Sequence, residues 1–450
     1  MTSDPPELFK NRDVTQDFLF SHSDGLPHAG AAATRFPPAP RAGDIPLEAH
    51  FAEMLDRPGL IAAIDTDMAT APALCALAVQ VAWEAGTHAQ EAAEADISEH
   101  WVVPIATLCR LHGGKWARIG TDRCACVFGH LNAAAGTLLA RDLLQAYPQG
   151  RHVVTIGIAV YPSINFTRSQ TVANAEKALD HAGFLEAGSI AGFDAVSLNI
   201  SGDRLYQAGD ITGAIAEFKR GLLLDPTDAN LHNSLGVCYG VLQAYDEALS
   251  AFENAIWLAP QEGMATYNKG YILLLQKQTE QALDCFLRAD AREPNLFEVV
   301  FHIGLAYMQI GAADKARPFF EAAARIKRRS GAAFVNLGAC LDQLGLTKEA
   351  AQAFKRAVKI NPADAESLSN LGRLYTQRGE SLDVAAVLCR QSVQLSPHNG
   401  LFSHRLGDVY LHQGKLDQAL AAFETAAVLG HDSTREIDDT RERMLAAKAS

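Results

Sequence analysis

The chain has 450 residues, 48% of them hydrophobic, and a formal charge of −13. That apolar content fills two or more cores, while the acidic balance excludes a general binder of nucleic acid or anionic membrane, since phosphate binding needs a concentrated basic surface. The acidity is uneven: residues 1–194 carry 13 Lys and Arg against 22 Asp and Glu, the remainder 26 against 30.

The first residues, MTSDPPELFKNRD, have neither a basic n-region nor an apolar h-region. No apolar run approaches the roughly 20 residues that a bilayer requires. A soluble cytoplasmic protein is expected. Residues 22–46 are rich in Pro, Ala and Gly without periodicity, so 1–46 is expected to be a flexible leader.

From 47 to 195 the pattern predicts a globular domain that opens with a short helix and a strand GLIAAID ending in Asp65. A helix over about 70–84 follows, then a second helix ending near Leu111 and a hairpin KWARIG/DRCACVFG. The remaining elements are a helix NAAAGTLLARDLLQAY, a strand HVVTIGIAVYP, a helix TVANAEKALDHA and a short strand FDAV. The order βααββαβαβ predicts an α/β layer with a mixed sheet. The eight cysteines lack CxxC spacing and are expected to be reduced, with Cys124 and Cys126 alternating onto one packed strand face. His112, His152 and His181 stand beside no plausible nucleophile and are expected to be surface or packing residues.

The second half repeats. Glycine recurs at 202, 236, 270, 304, 338 and 372, each 34 residues after the last, and at 407 after 35. Around each the same pattern returns, as in Leu235, Gly236, Tyr239, Ala248, Phe252, Ala255 and Pro260. Such a period describes two helices of about a dozen residues joined by a short turn, with small residues at the crossing and aromatic knobs beside them. The proline stops the second helix because it lacks a backbone donor and clashes with the preceding turn. Copy four has Arg328 in place of that proline, and copy six gains a residue in RGESLDVAAVLC and puts Cys389 at the aromatic position, so a kink or loosened joint is expected there. The last segment, 432–450, is expected to be a helix that caps the array.

These seven copies, over residues 196–431, resemble the tetratricopeptide repeat family. The resemblance implies an all-α solenoid whose concave face, built by the first helix of each unit, binds a partner peptide or helix. In register, Met264, Tyr267, Tyr271, Phe301, Leu305 and Met308 fall in that groove, with Asn268, Asn336 and Asn370 at the family's usual asparagine position. Arg373, His404 and Arg405 form an expected seat for an acidic group or a chain terminus. Packing between repeats is the competing role for each apolar residue.

The elements over about 58–196, with RIGTD at the hairpin, resemble the GGDEF domain of diguanylate cyclases, whose nucleotide-cyclase-type palm is α/β. That family's hairpin reads R-x-G-G-D/E-E-F, so Arg118, Gly120 and Asp122 match while Thr121, Arg123 and Cys124 depart. Joining two GTP molecules needs metal ions held by carboxylates from the first strand and the hairpin, with a basic clamp on the phosphates. On this alignment Asp65 and Asp122 remain as a residual metal seat, Arg123 reverses the charge of an acid, and Ala73 stands where the guanine-reading Asn belongs. No Lys or Arg lies between Ala178 and Asp203, where the family's lysine would be. The two resemblances together imply a bacterial, cytoplasmic, non-enzymatic adaptor without a cofactor, its first domain a degenerate module for docking or homodimerisation. Sensing of GTP or cyclic di-GMP, or residual cyclase activity, is the alternative.

Overall fold

The computed structural model describes residues 51–83, 100–147 and 152–449, so the expected leader lies outside the described residues. The chain divides into two compact units, at residues 258 and 259.

The first unit begins with a six-stranded sheet in the order β1-β3-β4-β2-β5-β6. The strands are β1 (Met54–Leu55), β2 (Leu74–Trp83), β3 (Lys115–Arg118), β4 (Arg123–Gly129), β5 (His152–Tyr161) and β6 (Ile190–Gly192). The two edge pairs, β1 with β3 and β5 with β6, are parallel; the other pairs are antiparallel, which gives the mixed sheet expected. Strand β2 sends Cys75, Leu77, Val79 and Val81 to one face, where they pack with helices α2 (Val103–Leu111) and α3 (Ala133–Ala146). Leu74, Ala76 and Ala78 point to the other, against α1 (Arg57–Thr66) and α4 (Gln170–Ala182). Close approach is required there: a Cβ on Gly157 of β5 would lie 2.2 Å from the Ala175 carbonyl oxygen of α4. All eight cysteines are buried thiols.

Three local expectations are corrected. GLIAAID is part of helix α1, because Asp56 caps it by accepting from Gly59 N at 2.7 Å and Pro58 sits in its first turn. Residues 74–83 are the central strand β2 instead of a helix, since a strand covered on both faces carries a continuous apolar run with no alternation to betray it. The last strand is Ile190–Gly192, and FDAV supplies Asp194, whose capping box with Ser197 starts α5 (Ala195–Gln207).

From α5 onward the chain is paired helices. The first unit holds α5 with α6 (Ile211–Leu224) and α7 (Ala229–Val241) with α8 (Tyr245–Leu258). The second holds α9 (Gly263–Leu275), α10 (Thr279–Arg292), α11 (Phe297–Gln309), α12 (Ala313–Ile326), α13 (Gly331–Gln343), α14 (Thr347–Ile360), α15 (Ala365–Gln377), α16 (Leu382–Leu395), α17 (Gly400–His412) and α18 (Leu416–Val428), and ends with α19 (Thr434–Ala449). The repeated glycine is the crossing point. A Cβ on Gly236 would meet the Phe252 ring at 2.6 Å, one on Gly304 the Phe320 ring at 2.7 Å, and one on Gly407 the Phe423 ring at 2.6 Å. In the sixth pair Cys389 takes the aromatic place against Gly372. Its extra residue is absorbed in the turn, where Gly379 and Ser381 both have positive φ, and α12 keeps the same 14 residues as α8 despite Arg328.

Helix α4 has no exposed residue, because its second face packs on α5. Lys177 Nζ lies 2.5 Å from Glu217 of α6, Asp180 pairs with Arg204 of α5 and, at 3.6 Å, with Arg123, and His181 Nδ1 is 3.4 Å from Asp194. Two ion pairs, Lys177–Glu217 and Asp180–Arg204, therefore cross the expected domain boundary at 195/196, which lies inside one compact unit.

Candidate functional site

Two places were singled out by sequence: the turn between β3 and β4, and the inner helices of the repeats.

At the turn the side chains of Arg118, Asp122 and Arg123 are already engaged. Arg118 Nε donates to Gly120 O at 3.0 Å, and its Nη2 donates to Thr121 O at 2.8 Å. Gln80 Nε2 donates to the Asp122 carboxylate at 2.7 Å, and Arg123 Nη2 donates to Gln80 Oε1 at 3.4 Å. Register explains the constellation, since Gln80 of β2 lies opposite Arg123 of β4. Asp65, in contrast, is an exposed residue in the last turn of α1, so it does not stand at a strand end beside the hairpin. The Asp65–Asp122 seat thus loses the geometry on which it rested. Among the described residues no group of three or more His, Cys, Asp or Glu is arranged to hold a metal ion.

In the second unit the inner helices divide the expected groove residues into two kinds. Tyr267 is 1% exposed and Tyr271 8%, and both close around His302 with ring centroids 5.7 and 5.5 Å away. Phe286 and Phe301 complete the enclosure at 5.6 and 5.7 Å. His302 Nδ1–H donates to Glu298 O at 2.7 Å, and the Tyr267 hydroxyl lies 3.3 Å from the same nitrogen. Burial pushes the imidazole down to about 4, so it is neutral at neutral pH. These two tyrosines are core residues, because an aromatic ring packed against rings on the neighbouring helix gains more than one left in water. Met264, Phe301, Leu305 and Met308 are only half-buried, and Phe301 stacks on Phe297 at 5.5 Å.

The polar positions are likewise partly occupied. Asn336 Nδ2 donates to Ala332 O of its own helix at 2.9 Å, while Asn268 and Asn370 are half-buried. Arg373 pairs with Asp342 and donates to Gln377 at 3.0 Å. Arg405 Nη1 donates to Ser369 Oγ at 2.9 Å, and burial together with the nearby Arg373 lowers its proton affinity. His404 Nδ1 lies 2.8 Å from Ser433 Oγ, its ring is 4.4 Å from that of His431, and Nε2 is 3.7 Å from Asp408. The structure thus brings Arg373 and Arg405 within electrostatic reach of each other and turns His404 toward the start of α19.

Two residues central to these places escaped the sequence reading. Gln80 was hidden by the assignment of its strand as a helix. His302 was legible, because the column Asn268, Asn336, Asn370 passes through it at the repeat spacing.

Two family models match the helical pairs: one described as "TPR repeat" over residues 202–243, and one as "Tetratricopeptide repeat" over 242–297, 301–365, 337–400 and 370–433. Residues 202–433 belong to the tetratricopeptide-repeat family. The repeats are similar to BBSome complex member BBS4 of Bos taurus, 29% identical over 112 residues, which are 25% of this chain and 21% of that protein. They are similar to the aspartyl/asparaginyl beta-hydroxylase of Homo sapiens, 27% identical over 119 residues, 26% of this chain and 16% of that one. The chain thus spans about a fifth or less of the length of these relatives. Among solved structures, YrrB, a TPR protein with an unusual peptide-binding site, matches at 19% identity and TM-score 0.39, covering 44% of this chain and 97% of that one. PilF of Pseudomonas aeruginosa matches at 22% and 0.43, covering 46% and 94%. The repeats support a protein–protein interaction scaffold. Among the described residues no helix is long and apolar enough to cross a membrane.

Proposed function

We propose that the chain is a bacterial cytoplasmic adaptor whose second unit binds a partner peptide or helix with apolar anchors and an acidic end. The observation that carries this is the stripe Phe301, Leu305 and Met308 on α11, which stays half-buried although its neighbours Tyr267 and Tyr271 are packed away. A helical row at i, i+4 and i+7 spacing offers a continuous apolar track. Arg373 and Arg405 supply the cationic end; a ligand carboxylate there competes with Asp342 for Arg373, which sets a modest affinity and a strong salt dependence. Screening immobilised peptides against the full chain should select sequences with spaced apolar residues before an acidic residue or free carboxylate. Leu305→Ser with Met308→Ser should weaken the selected peptides about tenfold or more, about 1.4 kcal/mol each tenfold, with the fold retained. Unchanged binding in a folded double variant would rule out the stripe. Tyr267→Ala is unsuitable for this test, because that ring is core.

The sheet is read as a degenerate relative of the GGDEF palm, serving in docking or homodimerisation. Its strand order and its RxGxD turn support the resemblance, and the inactive state is supported by Gln80, a neutral amide on the central strand where a metal-binding carboxylate is needed. The next position, Arg123, is a cation committed to Asp180. GTP with Mg²⁺ should leave the melting temperature unchanged, because a ligand that binds only the native state raises it by mass action. A saturable rise would overturn this part of the proposal.

A further inference from the structure

The first repeat contains a buried acid that the interaction role does not use. Asp203 of α5 is 7% exposed and its Oδ2 has no hydrogen-bond partner; one turn earlier Asn199, 4% exposed, has an unpartnered Oδ1. The i, i+4 spacing puts both acceptors on one face of the helix. Val237, Tyr271 and Leu305 occupy the position of Asp203 in the next three repeats, so an acid here breaks the apolar pattern of the column.

The surrounding charges do not relieve it. On α5 itself Arg204 is committed to Asp180 of α4. On α4 Lys177 is committed to Glu217, and His181 sits beside Asp194. On α6 Arg220 donates to that same Glu217 at 3.0 Å. Toward α7 the acid faces the Cys238 thiol, and on its own helix the Tyr206 phenol, both groups that burial above all holds protonated and that supply no cation. Two buried acceptors one helical turn apart, neither with a partner, are costly, and one proton shared between them would remove both deficits at once.

We propose that Asp203 is held as a neutral carboxylic acid whose proton is shared with the Asn199 side-chain carbonyl, and that losing this proton loosens the packing of α5 on α7. Burial, with no compensating cation, pushes the carboxyl up to about 7, consistent with that geometry. An acid whose folded value is raised stabilises the fold fully below its unfolded value of 3.8 and loses that stabilisation as pH rises toward 7. The start of the repeat array is therefore a proton-sensitive joint, tightest in mild acid.

The test compares the full chain with Asp203→Asn, a neutral isostere that can donate to the same carbonyl. Relative to wild type, the variant's folding equilibrium constant should rise about tenfold per pH unit between roughly pH 4 and 7 and then level off, as one titrating proton requires. Hydrogen exchange of α5 and α7 should report the same trend. Infrared spectroscopy at pH 5.5 should show a protonated-carboxyl band that Asp203→Asn removes. A pH-independent difference between the two proteins, or no such band, would overturn the proposal and make Asp203 a charged carboxylate held by some other donor.

Discussion

Phe320→Ala is expected to destabilise the second unit by about 3–5 kcal/mol. The ring is fully buried and lies on the backbone of Gly304, with Phe301 packed edge-on at 5.9 Å. Removing it deletes the knob that spaces α11 from α12, and neither helix can close the gap: Ala313, Ala316 and Cys340 around it are already small. The converse variant, Gly304→Ala, pushes a methyl to 2.7 Å from the same ring, and overpacking of that kind costs about 1–3 kcal/mol. Because repeats are stabilised by their neighbours, the loss should appear first as faster hydrogen exchange in α11 and α12. An equally large loss of protection in α17 and α18 with none in α11 would contradict this account.

The second large effect is acid lability centred on His302. Its imidazole is fully enclosed by aromatic rings and held neutral, with a proton affinity lowered from 6.5 to about 4. A depressed value means that the unfolded chain binds the proton first. The stabilisation is present in full above about 6.5 and is lost as pH falls through about 4, reaching a maximum of about 3 kcal/mol. His302→Phe should flatten this acid limb, measured as exchange in α9 and α11 between pH 4 and 7. An unchanged limb would place the acid sensitivity elsewhere. Asp203 works in the opposite sense in the first unit, so acid should tighten one unit while it loosens the other.

The turn and the groove show how a residue's role depends on what faces it. Arg118, Gly120 and Asp122 match a family pattern by identity, yet whether they can meet a phosphate depends on the groups across the sheet. There Gln80 and Asp180 take up Asp122 and Arg123. Tyr267 and Phe301 hold equivalent positions one repeat apart and both pack on His302, yet the first is 1% exposed and the second half-buried. Hydrophobicity alone does not separate an anchor from a core residue.

By itself the sequence determined the repeat architecture, the glycine–phenylalanine crossings and the hairpin, since each is set by contacts within a few tens of residues that recur with a fixed period. Tertiary structure decided the rest. Leu74–Trp83 is a strand because helices cover both its faces, an influence that no local periodicity records. Asp65 parted from Asp122 because GLIAAID belongs to helix α1, where Asp65 lies in the last turn. The sheet and the first two repeats share one unit because α4 has two buried faces, a property of the partners it meets and not of its own thirteen residues.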